Sequence, residues 1–434
     1  MTATAVAIET VDVTPAELRR SRIIGFSYIV MAILVLWLFG LGTEGDARFG
    51  LAQPTERFAD FPDLVLPAAP FAYGVAIVLA FLGGAQLMRG FGKWTNIILG
   101  IALLLFVFAF LTWATAGKSF SLVGMLRETV LRAVPIGLGA LSGVLCERVA
   151  VINIAIEGML LTGAFTGALV GSAARNVEVG GLNIAVILGI GVAIIAGALL
   201  ALALAVLAIK YRVDQIIVGV VINIFAVGLT GFMAVRVLAN NEHLNSTSTA
   251  KPIGIPLLED IPVLGTVFFR QNIFVYVMFA LTALLTFGLF RTRWGLRSRA
   301  VGEHPRAADT LGVRVYRLRY LNVMLGGMVA GFGGAYLTVG AVGRFDDNMT
   351  SGRGFIALAA MIFGRWHPVG AVSGALVFGF AEAMRTKLAI LGTNIPSEFL
   401  AMTPYVVTII VVAGLVGKAR PPAADGQPYI KEGG

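Results

Sequence analysis

Apolar runs close to 20 residues long recur from one end of this 434-residue chain to the other. Each can cross a hydrocarbon core about 30 Å thick. They fall at 23–41, 71–88, 95–115, 129–145, 150–172, 183–209, 215–235, 273–290, 320–341, 369–385 and 400–417. Lipid offers no partner to backbone N–H and C=O groups, so such segments are confined to helices whose hydrogen bonds close internally. The fold expected is all-α and polytopic, with about 10–12 transmembrane helices. A Gly-rich stretch at 354–363 is too short to span and reads as a half-helix or re-entrant segment, tolerated only where protein buries its ends. Composition agrees, with charged residues at 13% and a mean hydropathy of +0.87, against roughly 25% charged in soluble domains.

The formal charge of +9 does not point to nucleic acid, because the basic residues sit in short loops between apolar runs, as the positive-inside rule describes. Between 291 and 319 stand Arg291, Arg293, Arg297, Arg299, Arg306, Arg314, Arg317 and Arg319, opposed by Glu303 and Asp309, which places this loop in the cytoplasm. Loop 43–68 carries Glu44, Asp46, Glu56, Asp60 and Asp63 against Arg48 and Arg57 and is expected outside, as is the near-neutral loop 236–272. The tail after Lys418 is polar, with Pro, Gly and charge that predict little folding of its own. Cys146 is the single cysteine, and His243, His304 and His367 lie far apart, so neither a disulfide nor a metal constellation is legible. The run at 23–41 follows Arg19, Arg20 and Arg22, is longer than a signal-peptide apolar region and reads as a retained helix.

The stretch ERVAVINIAIEGMLL, 147–161, puts polar groups where hydrocarbon makes them costly. On a continuous helix Asn153 and Glu157 stand four apart and share a face. Two readings stand open: packing contacts between helices, or lining of a solute pathway. Glu147 and Arg148 are adjacent and point apart on a helix, which suits a helix break or an interface. Asn223 reads as an interhelical hydrogen bond, and Glu382 with Arg385, three apart, as a structural pair near an interface.

Within the basic loop, GEHPRAADTLGV places Pro305 at a helix start and Gly312 at its end. A helix over about 306–311 is expected. It suits docking into a partner's groove or, equally, contact with anionic lipid heads. AGKS at 116–119 ends like a phosphate-binding loop, but Thr112 stands where that loop needs glycine, and no nucleotide site is legible elsewhere.

Taken together, ERVAVINIAIEGMLLTGAF, YRVDQIIVGVVIN, GEHPRAADTLGVRVYRLRY, GRGFIALAAMIFGRWHPVGA and TPYVVTIIVVAGLVGKARPPAADGQPY resemble the membrane-permease subunits of bacterial ABC importers for nucleosides and simple sugars, relatives of branched-chain amino-acid permeases. The likeness runs in order over roughly 120–430. It implies a transport subunit of the bacterial cytoplasmic membrane, not an enzyme, that binds no cofactor itself. ATP would be used by a separate ATP-binding subunit, and a second permease and an extracytoplasmic binding protein would complete the system. By the same resemblance Gly302, Glu303, His304, Pro305, Arg306, Ala307 and Ala308 belong to the helix that couples to the ATPase. Nucleosides are the favoured substrate class, simple sugars the alternative. An ion-coupled secondary transporter is the competing class and would need Glu157 or Glu382 as its ion-binding carboxyl. Residues 1–115 are expected to form an N-terminal extension of about three membrane helices, 116–420 the permease core and 421–434 a polar cytoplasmic tail.

Overall fold

The computed structural model describes residues 15–52, 62–179, 182–392 and 420–431, with 399 and 402. Apart from Met402, the expected span 400–417 lies outside the described residues, as do Lys418 and loop residues Glu56, Arg57 and Asp60. Two compact units are present: Met1–Leu122 with Leu388–Asn394, and Val123–Lys387 with Ile395–Gly434.

In the first unit the apolar runs become α1 (Pro15–Leu34, continued as a wider π-type turn to Gly40), α2 (Ala68–Met88) and α3 (Thr95–Ala114). Close packing of α1 on α2 depends on Gly83, where a Cβ would lie 2.6 Å from a side-chain carbon of Ile29. Phe39 stands among Phe106, Phe110 and Trp113, with ring centroids 5.3 to 5.7 Å apart. A small sheet was not expected from the apolar pattern. Its central strand β1 (Asp46–Gly50) pairs antiparallel with β2 (Leu64–Pro67) and parallel with β3 (Ser119–Ser121), so that Phe49 stands opposite Phe120.

The second unit holds α4 (Leu122–Glu147, of which Leu122 belongs to the first), α5 (Ile156–Ala173), α6 (Ala185–Ala205), α7 (Gln215–Met233) and α8 (Ile273–Arg291). After these come α9 (Arg293–Glu303), α10 (Pro305–Thr310), α11 (Val315–Ala335, continued as a π-type helix to Val342), α12 (Arg353–Phe363) and α13 (Pro368–Ile390, whose residues from Leu388 on belong to the first). Two-stranded pairs, β4 (Glu178–Val179) with β5 (Leu182–Asn183) and β6 (Ile253–Gly254) with β7 (Arg270–Gln271), close two of the loops.

Among the described residues nine helices are long and apolar enough to cross a membrane. α13 has 23 residues, but Glu382, Arg385 and Lys387 make its C-terminal part polar. The chain is thus an all-α polytopic membrane protein. At 11 residues α12 is the half-helix expected near 354–363, about 16 Å long at 1.5 Å per residue. The expected span 150–172 is corrected: α4 ends at Glu147, and α5 starts only at Ile156.

Burial separates interior from lipid-facing helices. The α4 span is 89% buried and the α11 span 83%, whereas those of α6 and α8 are 39%. Apolar burial cannot drive helix association when the solvent is itself hydrocarbon, so close backbone approach through small residues takes over. Gly163, Gly197, Gly327 and Gly331 bring α5, α6 and α11 together. A Cβ on Gly197 would stand 2.2 Å from the Gly327 carbonyl, and one on Gly331 2.2 Å from that of Ala193. Overpacking usually costs about 1–3 kcal/mol, and more where backbone must move. Gly331→Val is therefore expected to lower the midpoint of thermal aggregation in detergent clearly. Gly191→Ala on α6, where nothing lies within 4 Å of the added carbon, should leave it unchanged; equal shifts in both would show that the glycine contacts do not hold these helices.

Candidate functional site

The break between α4 and α5 is where the polar residues of 147–161 act. Interrupting a helix inside a membrane orphans backbone groups that must find protein partners. The Ile152 N–H donates to Oε1 of Gln215 at 2.7 Å. Asn223 accepts from the Gly158 N–H at 2.8 Å and donates to the Ile154 carbonyl at 2.9 Å, so one amide on α7 satisfies both sides of the α5 N-terminus. Ala150 takes a left-handed conformation, φ 60°, to turn the chain. Asn153 lies in the break, fully buried, with its amide nitrogen 3.4 Å from Cys146 Sγ and 3.8 Å from Met159 Sδ. The helical face expected for Asn153 and Glu157 does not exist, because Asn153 precedes the helix.

Glu157 reaches across to α12. Its carboxyl oxygens accept from the Gly352 N–H at 2.8 Å and the Gly354 N–H at 2.6 Å. It thus caps the start of a half-helix whose first amides have no partner of their own. At the other end of α12, Arg365 and Trp366 turn the chain with φ of 54°. The Trp366 indole N–H donates to Glu147, and Arg148 donates to the Trp366 carbonyl at 2.8 Å. Burial and the nearby Arg299 lower the Arg148 pKa, with Glu303 opposing. His367 is pushed below its ordinary value by burial and by Arg148.

Glu382 is corrected as to partner. It pairs with Arg353 at 2.6 Å and Arg132 at 3.0 Å, and no bridge to Arg385, one turn on, is present among the described residues. The closest cations come from other helices, which no spacing along α13 could reveal.

In the basic loop, α10 begins with Pro305 at its first position, and Gly312 follows at φ +79°. Glu303, His304, Arg306 and Ala307 are exposed, while Ala308 and Gly302 are buried. α9, unforeseen as a helix, carries the preceding arginines. Gly302 lies against the break, where a Cβ would come 2.5 Å from the Arg148 carbonyl. Segment 420–431, expected to lack structure, is held by the core instead. The Ala424 N–H donates to the Gly302 carbonyl at 3.0 Å and the Ala423 N–H to Glu303 at 3.2 Å. Arg319 donates to the Gln427 carbonyl and Tyr316 to that of Tyr429, each at 3.3 Å. Asp425 meets the carboxyl group of Glu147, and burial raises its pKa to about 6, with Glu147, the Gly426 backbone and Arg319 drawing it back down. Gln215, Arg319, Trp366 and Asp425 were missed in sequence; of these, Arg319 was visible only as one more basic loop residue.

Two outcomes are expected from this geometry. Glu157→Gln keeps one acceptor for α12, whereas Glu157→Leu strands both amides at about 1–3 kcal/mol each; thermal stability in detergent should rank native, Gln, Leu, and equal loss in both variants would remove the capping role. Asp425 holds its proton in the docked tail up to about pH 6, where a free carboxyl has released it from about pH 4. Docking is therefore favoured at low pH and weakens as pH rises through that window, by on the order of tenfold after allowance for partial exposure. Trypsin release of the tail, normalised to a free peptide of the same sequence, should be faster at pH 7.5 than at pH 5. Asp425→Asn should flatten that difference; a flat profile in the native chain would contradict it.

The comparisons with known proteins fit this arrangement. Residues 125–415 match the family described as the branched-chain amino acid transport system permease component. The guanosine ABC transporter permease protein NupQ of Bacillus subtilis is 42% identical over 306 residues, covering 70% of this chain and 95% of the relative. The nucleoside ABC transporter permease protein NupC of Lactococcus lactis is 39% identical over 316 residues, 71% and 96% of the two chains. The putative glucose ABC transporter permease protein TsgC13 of Haloferax volcanii is 32% identical over 332 residues, 71% and 98%. No solved structure matches. A polytopic bundle with an interrupted, internally capped core, matched by permeases along nearly their whole length, belongs to the ABC transporter permease family, whose members are transport subunits and leave ATP hydrolysis to separate components.

Proposed function

We propose that the chain is a translocation subunit of an ATP-driven importer for nucleosides in the bacterial cytoplasmic membrane. The single observation that carries the substrate is the 42% and 39% identity to guanosine and nucleoside permeases, against 32% to a glucose permease. In this reading the partners are an ATP-binding subunit, a second permease and an extracytoplasmic substrate-binding protein. The α9–α10 hairpin faces the cytoplasm and seats in the ATPase. Its Gly302 backbone rests on Arg148, and Arg148 and Glu147 hold Trp366 at the end of α12. A push on α10 is thereby delivered to the interrupted helices. ATP binding shifts inward and outward states only so far as its contacts with them differ.

An ion-coupled mechanism finds no support in the two carboxyls it would need. Glu157 spends both oxygens on α12 amides, and Glu382 is bridged by two arginines. The exposed, small Ala307 gives the coupling helix close approach to a groove. Ala307→Arg should reduce both ATPase co-purification and ATP-driven guanosine uptake by about tenfold or more, as for a central interface residue, with membrane insertion unchanged. Full uptake with α10 so blocked would defeat the coupling assignment, and glucose uptake in place of guanosine would move the substrate to sugars.

A further inference from the structure

A cavity of about 550 Å³ opens at the end of α8 and α11 remote from α9 and α10. This lies within the range of about 300–1,000 Å³ usual for small-molecule sites. Its walls come from the start of α4, the residues before α8, the π-type end of α11 and the start of α12. Apolar surface is supplied by Leu131, Pro135, Leu337, Val342 and Met349.

The charges around it are sorted. Arg132 is bridged by Glu128 and Glu382, and Arg353 by Glu382 together with the Met349 and Thr350 carbonyls. Asp346 at the rim is engaged by Arg344. Arg127 differs: no carboxyl group bridges it among the described residues, and its Nε is buried without a partner. Tyr336 lines the same wall, and its hydroxyl makes no hydrogen bond among the described residues. A buried polar atom without a partner, as Arg127 Nε is, is uncommon and calls for an occupant or a role. The lining carries Arg127, Arg132 and Arg353 against Glu128 and Asp346, and Glu382 behind it bridges two of these arginines, so little net charge is left to draw an anion.

We propose that this cavity is a solute-binding station for an uncharged, ring-bearing polar solute of the nucleoside class, with Arg127 and Tyr336 hydrogen-bonding its acceptor edge. The assignment rests on the nucleoside-importer reading. A planar guanidinium matches adjacent carbonyl and ring-nitrogen acceptors in two parallel bonds, and the apolar wall takes the ring faces. The carboxyl of Glu157 already occupies the first amides of α12, so that helix start adds no anion preference.

The chain itself supplies a clean probe, because its single cysteine, Cys146, is fully buried. Ala341→Cys places an exposed thiol in the cavity wall. In the assembled transporter in lipid nanodiscs, guanosine should slow maleimide labelling of this thiol saturably. Arg127→Gln and Tyr336→Phe remove groups with no ion pair or hydrogen bond among the described residues, so both should assemble. Each should raise the half-protecting guanosine concentration about tenfold, the loss of one charged or well-placed hydrogen bond. Absence of protection in a preparation that still imports guanosine when reconstituted in proteoliposomes overturns the site and leaves the importer reading standing. Stronger protection by guanosine 5′-monophosphate than by guanosine overturns the preference for an uncharged solute. No guanosine uptake by the unsubstituted transporter defeats the nucleoside reading itself, and with it the station as a nucleoside site.

Discussion

Two backbone amides, those of Gly352 and Gly354, begin a half-helix inside a membrane protein, and the Glu157 carboxyl accepts from both. Without it α12 would start with unpaired donors where water is scarce and lipid gives nothing in return. The same carboxyl lies in the first turn of α5, whose own start is satisfied by Asn223 from α7. Each interrupted helix is therefore completed by a side chain from another. The interior is consequently a set of caps passed between helices, and removing one leaves two backbone groups of another element unpaired.

This interdependence joins the coupling hairpin to the core without a gap. Gly302 rests on the backbone of Arg148, Arg148 bonds the Trp366 carbonyl, and Trp366 bonds Glu147 at the end of α4. From Trp366 the half-helix α12 leads back to Glu157. Segment 420–431 crosses the same place, tied to Gly302, Glu303 and Arg319. Packed protein does not deform continuously, so displacement of α10 has to be absorbed by exchange of these contacts or by movement of the helices they hold.

What was legible in the sequence followed from local rules. Apolar length gave the helices, and Pro305 and Gly312 marked α10, because a proline at a helix start and a glycine after its end act through their own backbones. What was not legible depended on chain segments far apart. Asn153 and Glu157 fit one helical face by spacing, yet the chain turns at Ala150, and Gln215 and Asn223, more than sixty residues on, satisfy backbone groups that the break leaves open. Glu382 has a cation one turn away in sequence and is claimed by Arg132 and Arg353 from other helices. The tail reads as unstructured by composition because its partners, Glu303, Tyr316 and Arg319, belong to the basic loop and to α11.

The N-terminal unit follows a different logic. The family match starts at 125, and the boundary between compact units falls at Leu122 and Val123. Two independent criteria, likeness and internal packing, thus separate the chain at nearly the same residue. The first unit has its own ring cluster about Phe39 and its own three-stranded sheet. It does not bury its helices. The spans of α1, α2 and α3 are 39%, 33% and 28% buried, with Phe81, Ile77 and Leu104 each at least 70% exposed. In a soluble protein such faces would require a protein partner. In a membrane the acyl chains cover them, so a unit of this kind can be appended to a permease core without any change in how that core is held together.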